Sequence, residues 1–200
     1  MRMTDVSALR RAVLAVALIN LGYSVVEFTV SQLIGSVALV ADSIDFLEDG
    51  VLNLLIFFAA AWPLHRRARV GHALAIVILV PAAVTLVTAV VKIIDPTRPE
   101  TIPLTVTAFG ALLANLAAAA ILVRHRHTGG SMARAAWLSA RNDALANVAI
   151  LATAAIALAW VSGWPDIIVG VGIAALNADA GVKVWRAASA ERLGAKQAEA

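Results

Sequence analysis

Apolar runs of about 20 residues, the length that crosses the hydrocarbon core of a bilayer as a helix, recur from one end of this sequence to the other. In lipid, a backbone must satisfy its own polar groups within each segment, which favours helices for such runs. Apolar residues make up 61% of the chain and charged residues 14%, against about 25% charged for a soluble domain. A soluble fold is thereby excluded. There is no cysteine, so neither a disulfide framework nor a thiolate metal site is available. Arg2, Arg10 and Arg11 precede the first apolar stretch in the manner of a secretory leader. That stretch is too long for one and contains Asn20, Tyr23 and Glu27. It reads as a retained first helix.

The breaks between runs predict an all-α membrane protein of six transmembrane helices, at about 8–30, 37–62, 69–94, 102–123, 133–160 and 165–187. Gly35-Ser36 separates the first two spans, and Pro63 with His65, Arg66 and Arg67 ends the second. Asp95-Pro96 through Pro103, Arg124 through Gly130, and Ser162 through Pro165 make the remaining breaks. Residues 1–200 form a single transmembrane domain on this reading. Lys and Arg are retained on the cytoplasmic side of a membrane. With the N-terminus inside, thirteen of the sixteen basic residues fall in inner segments, and only Lys92 and Arg98 fall in outer ones. Both termini are therefore expected to be cytoplasmic, in a multi-pass protein of a membrane such as the bacterial inner membrane. The net charge of +3 is spread over these loops, which argues for the lipid bilayer as partner and against nucleic acid.

A carboxylate at membrane depth costs several kcal/mol and by default marks an ion path or proton relay. The second span carries Asp42, Asp45, Glu48 and Asp49. Asp42, Asp45 and Asp49, at i, i+3 and i+7, share one helix face, which Asn53 continues. The fifth span carries Ser139, Asp143 and Asn147, spaced by four and again on one face. Asp143 lies roughly 18 Å from the inner end of its span, and Asp45 and Asp49 roughly 12–18 Å from the outer end of theirs, at 1.5 Å per residue. The two spans run in opposite directions, so both sets reach the middle of the bilayer. An all-oxygen cluster suits hard divalent cations. The acids also suit a structural role, pairing with Arg141 or bonding the asparagines, but two matching depths on antiparallel spans favour an ion site. On the first span, Asn20, Tyr23 and Glu27 either line the same cavity or hold helices together. Asn115 reads as a packing contact, His72 as interfacial, Asp166 as a helix start, and His125 and His127 as a solvated loop.

The sequence resembles the cation diffusion facilitator family of divalent-metal/proton antiporters. The resemblance spans essentially the whole chain and rests most on Gly35-Ser36-Val37-Ala38-Leu39-Val40-Ala41-Asp42-Ser43-Ile44-Asp45 through Asp49. Asp143-Ala144-Leu145-Ala146-Asn147 resembles the family's second acidic motif, and Asn20 and Glu27 match polar positions of its first helix. The resemblance implies that Asp45, Asp49 and Asp143 bind a transported metal, with protons as the exchanged partner and no resident cofactor. The family's fourth ligand position is Ser139 here, which leaves three carboxylates with a hydroxyl or Asn142 in place of an imidazole. Asp42, Glu48, Asn53, Asn147, Asn20 and Glu27 then line the pathway or support the ligands. Arg141 is unusual so near a cation site, and its pairing with Glu48 is one resolution. The family commonly continues into a cytoplasmic metal-sensing domain, whereas about a dozen residues follow the sixth span here. The resemblance leaves room for a homodimer, but not through such a domain. It also implies a bundle of helices one, two, four and five around the site, with three and six paired at the side.

Two functions of different class compete on these residues. One is efflux of divalent cations, among which Mn, Co, Fe, Zn and Cd are not separated by sequence. The other is a transport-inactive relative that serves as a membrane assembly or regulatory subunit, with Ser139 and Arg141 in its support. An enzyme is not expected, because no activated nucleophile is visible and Ser139 has no histidine in its span.

Overall fold

The computed structural model describes residues 3–59, 64–124, 130–160 and 162–199. They form six helices and, among the described residues, no strand: α1 (Met3–Ile34), α2 (Val37–Ala59), α3 (Leu64–Ile94), α4 (Thr101–Val123), α5 (Gly130–Ala159) and α6 (Trp164–Glu199). Each falls on one of the six apolar runs. Several helices extend past the expected spans, because helical hydrogen bonding does not require apolar side chains. The longest overshoot is at the end of α6, where Ala, Glu, Arg, Lys and Gln, all good helix formers, carry the helix to Glu199.

Among the described residues, four segments are long and apolar enough to cross a membrane by length and composition: Arg10–Ile34, Thr101–Val123, Ala140–Ala159 and Trp164–Lys183. Helix α2 fails that test because Asp42, Asp45, Glu48 and Asp49 interrupt its apolar windows. The apolar side chains turned outward include Leu33, Val87, Ile94, Ile102, Leu158 and Leu176, each more than half exposed. Such a surface belongs in lipid.

The turn between α1 and α2 is built from two residues. Gly35 takes φ 65°, a left-handed conformation that suits glycine. The Ser36 N–H then donates to the Ser31 carbonyl at 3.2 Å, closing α1 in a Schellman arrangement. Ser36 also starts α2, its hydroxyl oxygen accepting the Leu39 N–H at 3.1 Å as an N-cap.

Helices α1, α2, α5 and α4 touch in a closed ring, and α3 and α6 form their most extensive contact with each other. The side-by-side pair leans on the ring chiefly through α2, and α6 also touches α5. This is the arrangement the resemblance implies. His72 on α3 packs its ring edge-on against Trp185 of α6, with centroids 4.6 Å apart, and its Nε2 lies 3.1 Å from the Ser189 hydroxyl. Inside, Ala38, Leu39 and Ala41 of α2 form one core with Leu104 and Ala108 of α4, Ile150 and Ala154 of α5, and Ile173 and Ala174 of α6. Val13, Val16, Ala118, Leu122 and Ala140 form a second, at the far end of the ring from Gly35. Alanine supplies five of the nine residues of the first, as expected where close backbone approach drives helix association in lipid. At Gly170 a Cβ would stand 2.7 Å from the backbone of Val37 and Ala38. Glycine there lets α6 press against the first turn of α2.

Candidate functional site

The register of α2 against α5 follows from the core. Leu39 and Ala41 share a cluster with Ile150 and Ala154, so moving down α2 means moving up α5. One to two turns further along, the acids of the two helices meet. The carboxyl of Asp143 lies within hydrogen-bonding reach of the carboxyls of both Asp45 and Asp49. Asp49 is buried, whereas Asp45 and Asp143 are partly exposed. Among the described residues, no group of three His, Asp or Glu is gathered closely enough to hold a metal ion outright. The contacts are pairwise, with Asp143 common to both.

Two asparagines hold matching positions behind this trio. The Asn53 amide donates to the Asp49 carbonyl at 2.8 Å, and the Asn147 amide donates to the Asp143 carbonyl at 3.0 Å. Each is one turn C-terminal to its aspartate. Each keeps a buried Oδ1 with no hydrogen-bond partner. Glu48 is buried beside them, with one carboxyl oxygen unpartnered.

One turn nearer Gly35, Asp42 of α2 meets Glu27 of α1, their carboxyls within hydrogen-bonding reach, with the Asn147 side chain next to Asp42. The helices are fastened at this level. The Ser24 hydroxyl donates to the Ser43 carbonyl at 2.7 Å, and the Tyr23 and Phe46 rings lie 5.2 Å apart. Tyr23 also donates to the Thr107 carbonyl of α4 at 2.7 Å, running across Gly110, where any Cβ would collide with its hydroxyl. Tyr23 is thus a tie between helices. Asn20 is buried on α1, with neither side-chain polar atom partnered.

The other residues singled out by sequence lie elsewhere. Arg141 and Asn142 are exposed on α5, and the guanidinium donates to the Asn142 oxygen at 3.2 Å. The side chain of Ser139, like His125 and His127, lies outside the described residues. Asn115 is buried in the contact face of α4.

Sequence reading missed a polar cluster at the Gly35 end. Asp166 is more than a helix start. Its carboxylate accepts the Ser36 hydroxyl at 2.6 Å, the Val37 N–H at 2.8 Å and the Ala38 N–H at 3.3 Å. Lys92, at the end of α3, pairs with it at 3.1 Å and also donates to the Gly35 carbonyl. Nearby, the Asn177 amide of α6 donates to the Ala41 carbonyl at 3.0 Å. A signal was present: Lys92 and Asp166 are opposite charges at the same end of two spans.

With this geometry in place, the model of the cation efflux transmembrane domain matches the chain over residues 13–191. That range contains every acid and asparagine of the site. No curated protein matches the chain.

Proposed function

The chain belongs to the cation efflux family, whose members are transporters, and on that footing we propose that it exports divalent metal cations in exchange for protons. The observation that carries this reading is the position of Asp143, within reach of Asp45 and Asp49 across the α2–α5 contact. Oxygen ligands of this kind favour hard divalent cations over soft ones. The cation itself is the substrate. Its charge offsets the mutual repulsion of the three carboxylates while it is bound. When it leaves, carboxyls so close together cannot all stay ionised, so proton uptake accompanies release. Exchange then follows from the crowding of the acids.

The distribution of Lys and Arg supports six spans with both termini cytoplasmic. In that orientation α2 enters the membrane from the outside at Ser36, and α5 enters from the inside. The central acids sit where two aqueous paths would meet in alternating access.

Flux into proteoliposomes tests the proposal. Mn, Co, Fe, Zn and Cd are offered one at a time, with and without an imposed pH gradient, and a trapped dye reads internal pH. Uptake of at least one of these ions that accelerates with the gradient, and is lost in the D45N/D49N/D143N protein, is expected. Flux that ignores the gradient would contradict proton exchange, and absence of flux for every ion would contradict transport.

A further inference from the structure

Helices α1 and α3 both pack on α2 but hardly on each other. The gap between them is a groove with α2 as its floor. Its deeper part is a cavity of about 510 Å3 walled by Val25, Phe28, Ile44, Leu47, Val80 and Val84. The hydroxyls that also line it are spent within the protein. Ser24 donates to the Ser43 carbonyl at 2.7 Å, Thr29 to the Val25 carbonyl at 2.8 Å and Ser43 to the Val40 carbonyl at 2.7 Å. No hydroxyl proton is left there to hold water, so hydrocarbon is the favoured filling. Val40 also borders a second cavity, of about 300 Å3, which continues the groove to the Gly35 end. The lining of this part includes Gln32, Lys92, Asp95 and Thr97. From Val80 to Lys92 the groove runs about 18 Å along α3, close to half of the roughly 30 Å hydrocarbon core of a bilayer.

We propose that this groove holds one phosphatidylethanolamine molecule, with an acyl chain in the apolar part and the headgroup at the Gly35 end. In the orientation proposed above, that lipid belongs to the outer leaflet. A neighbouring helix is too thick to be the occupant. At about 10 Å across, it would take roughly 1,400 Å3 over 18 Å, more than the two cavities together hold. The charges at the polar end select the headgroup. Lys92 is already matched by Asp166 at 3.1 Å. Of its three N–H donors, one goes to that carboxylate and one to the Gly35 carbonyl, which leaves one for a phosphate oxygen. Asp95 is exposed and has no ion pair among the described residues, while Arg98 turns to the Ala157 carbonyl at 2.8 Å. The unmatched charge at the mouth is therefore negative. It favours a headgroup that offers an ammonium N–H, as ethanolamine does and choline does not, and disfavours the net-negative phosphatidylglycerol. The site needs only that the chain spans a membrane; the central acids play no part in it.

The full-length protein is titrated in detergent with phosphatidylethanolamine, phosphatidylcholine or phosphatidylglycerol of identical chains, and native mass spectrometry counts the molecules bound and their affinities. Wild type is expected to hold one phosphatidylethanolamine about three- to fivefold more tightly than either other lipid, the upper range for an exposed ion pair. Val84→Trp replaces a groove-wall side chain that is 56% exposed, fills the groove, and is expected to abolish that tight binding. Val106→Trp, on an exposed position of α4 away from the groove, is the control and is expected to leave it unchanged. Asp95→Lys is expected to keep one bound lipid but to reverse the preference towards phosphatidylglycerol, which a merely structural role would not do. Thermal unfolding of each variant confirms that it is folded, and should Val84→Trp fail to fold, Asp95→Lys decides alone. If wild type and Val84→Trp bind alike, or if Asp95→Lys leaves the order of headgroups intact, the proposal is overturned. A wild type that is dimeric without retained lipid, and monomeric as Val84→Trp, would put a second copy in the groove and overturn it as well.

Discussion

The Asp166 carboxylate, in the first turn of α6, accepts the Ser36 hydroxyl at 2.6 Å across the start of α2. The same carboxylate takes two backbone N–H groups of α2 and the Lys92 ammonium. One buried anion therefore completes the N-terminus of the acid-bearing helix, where negative charge is favoured, and binds the α3–α6 pair to it. Removing it leaves Lys92 without its counter-charge and two helical N–H groups without an acceptor. Asp166→Ala is expected to cost about 3–5 kcal/mol, the range for breaking a buried ion pair. Ser36→Ala, which removes the cap and one hydrogen bond to the carboxylate but leaves the ion pair, is expected to cost about 1–2 kcal/mol. Thermal unfolding in detergent compares the two. Equal, small losses would mean that Asp166 does not hold α6 to α2.

Sidedness follows from charge and is open to labelling. Thr97, in the α3–α4 connection, and Arg124, at the end of α4, are both exposed and lie at opposite ends of α4. The chain has no cysteine, so each site can carry one without background. An impermeant thiol reagent added to intact cells is expected to label Thr97→Cys at once and Arg124→Cys only after permeabilisation. The reverse pattern would invert the protein.

How far these features were legible in the sequence depended on the range of the interaction. The helices were legible because apolar runs and their breaks are local. The two acidic faces were legible because helical spacing places Asp42, Asp45 and Asp49 on one stripe and Asp143 and Asn147 on another. Their meeting was inferred from depth alone, and in the structure Asp143 does reach Asp45 and Asp49. Tyr23 and Asp166 were harder. The reach of Tyr23 over Gly110 to the Thr107 carbonyl depends on how α1 and α4 cross. The grip of Asp166 on α2 depends on Gly170 letting the helices close in. Neither crossing is written in a local pattern.

Ion choice is set by ligand type, and Ser139 is the position where this chain departs from an imidazole. Imidazole suits zinc, whereas oxygen-only sets do not distinguish it in the same way. Ser139→His is expected to raise zinc flux relative to manganese and cobalt in proteoliposomes. An unchanged selectivity profile would show that residue 139 does not face the ion.

The central claim is that Asp45, Asp49 and Asp143 act as one site. Flux and metal binding of the single and double Asp→Asn variants test it most directly, with equal membrane insertion verified for each. Asparagine keeps the size and one acceptor oxygen while removing the charge. Residues that share one ion are strongly non-additive: any single loss is expected to abolish most transport, and a second loss to add little. Asp42→Asn is the internal comparison and is expected to spare Mn2+ binding at the centre. Independent, additive losses from Asp45→Asn and Asp143→Asn would contradict the shared site.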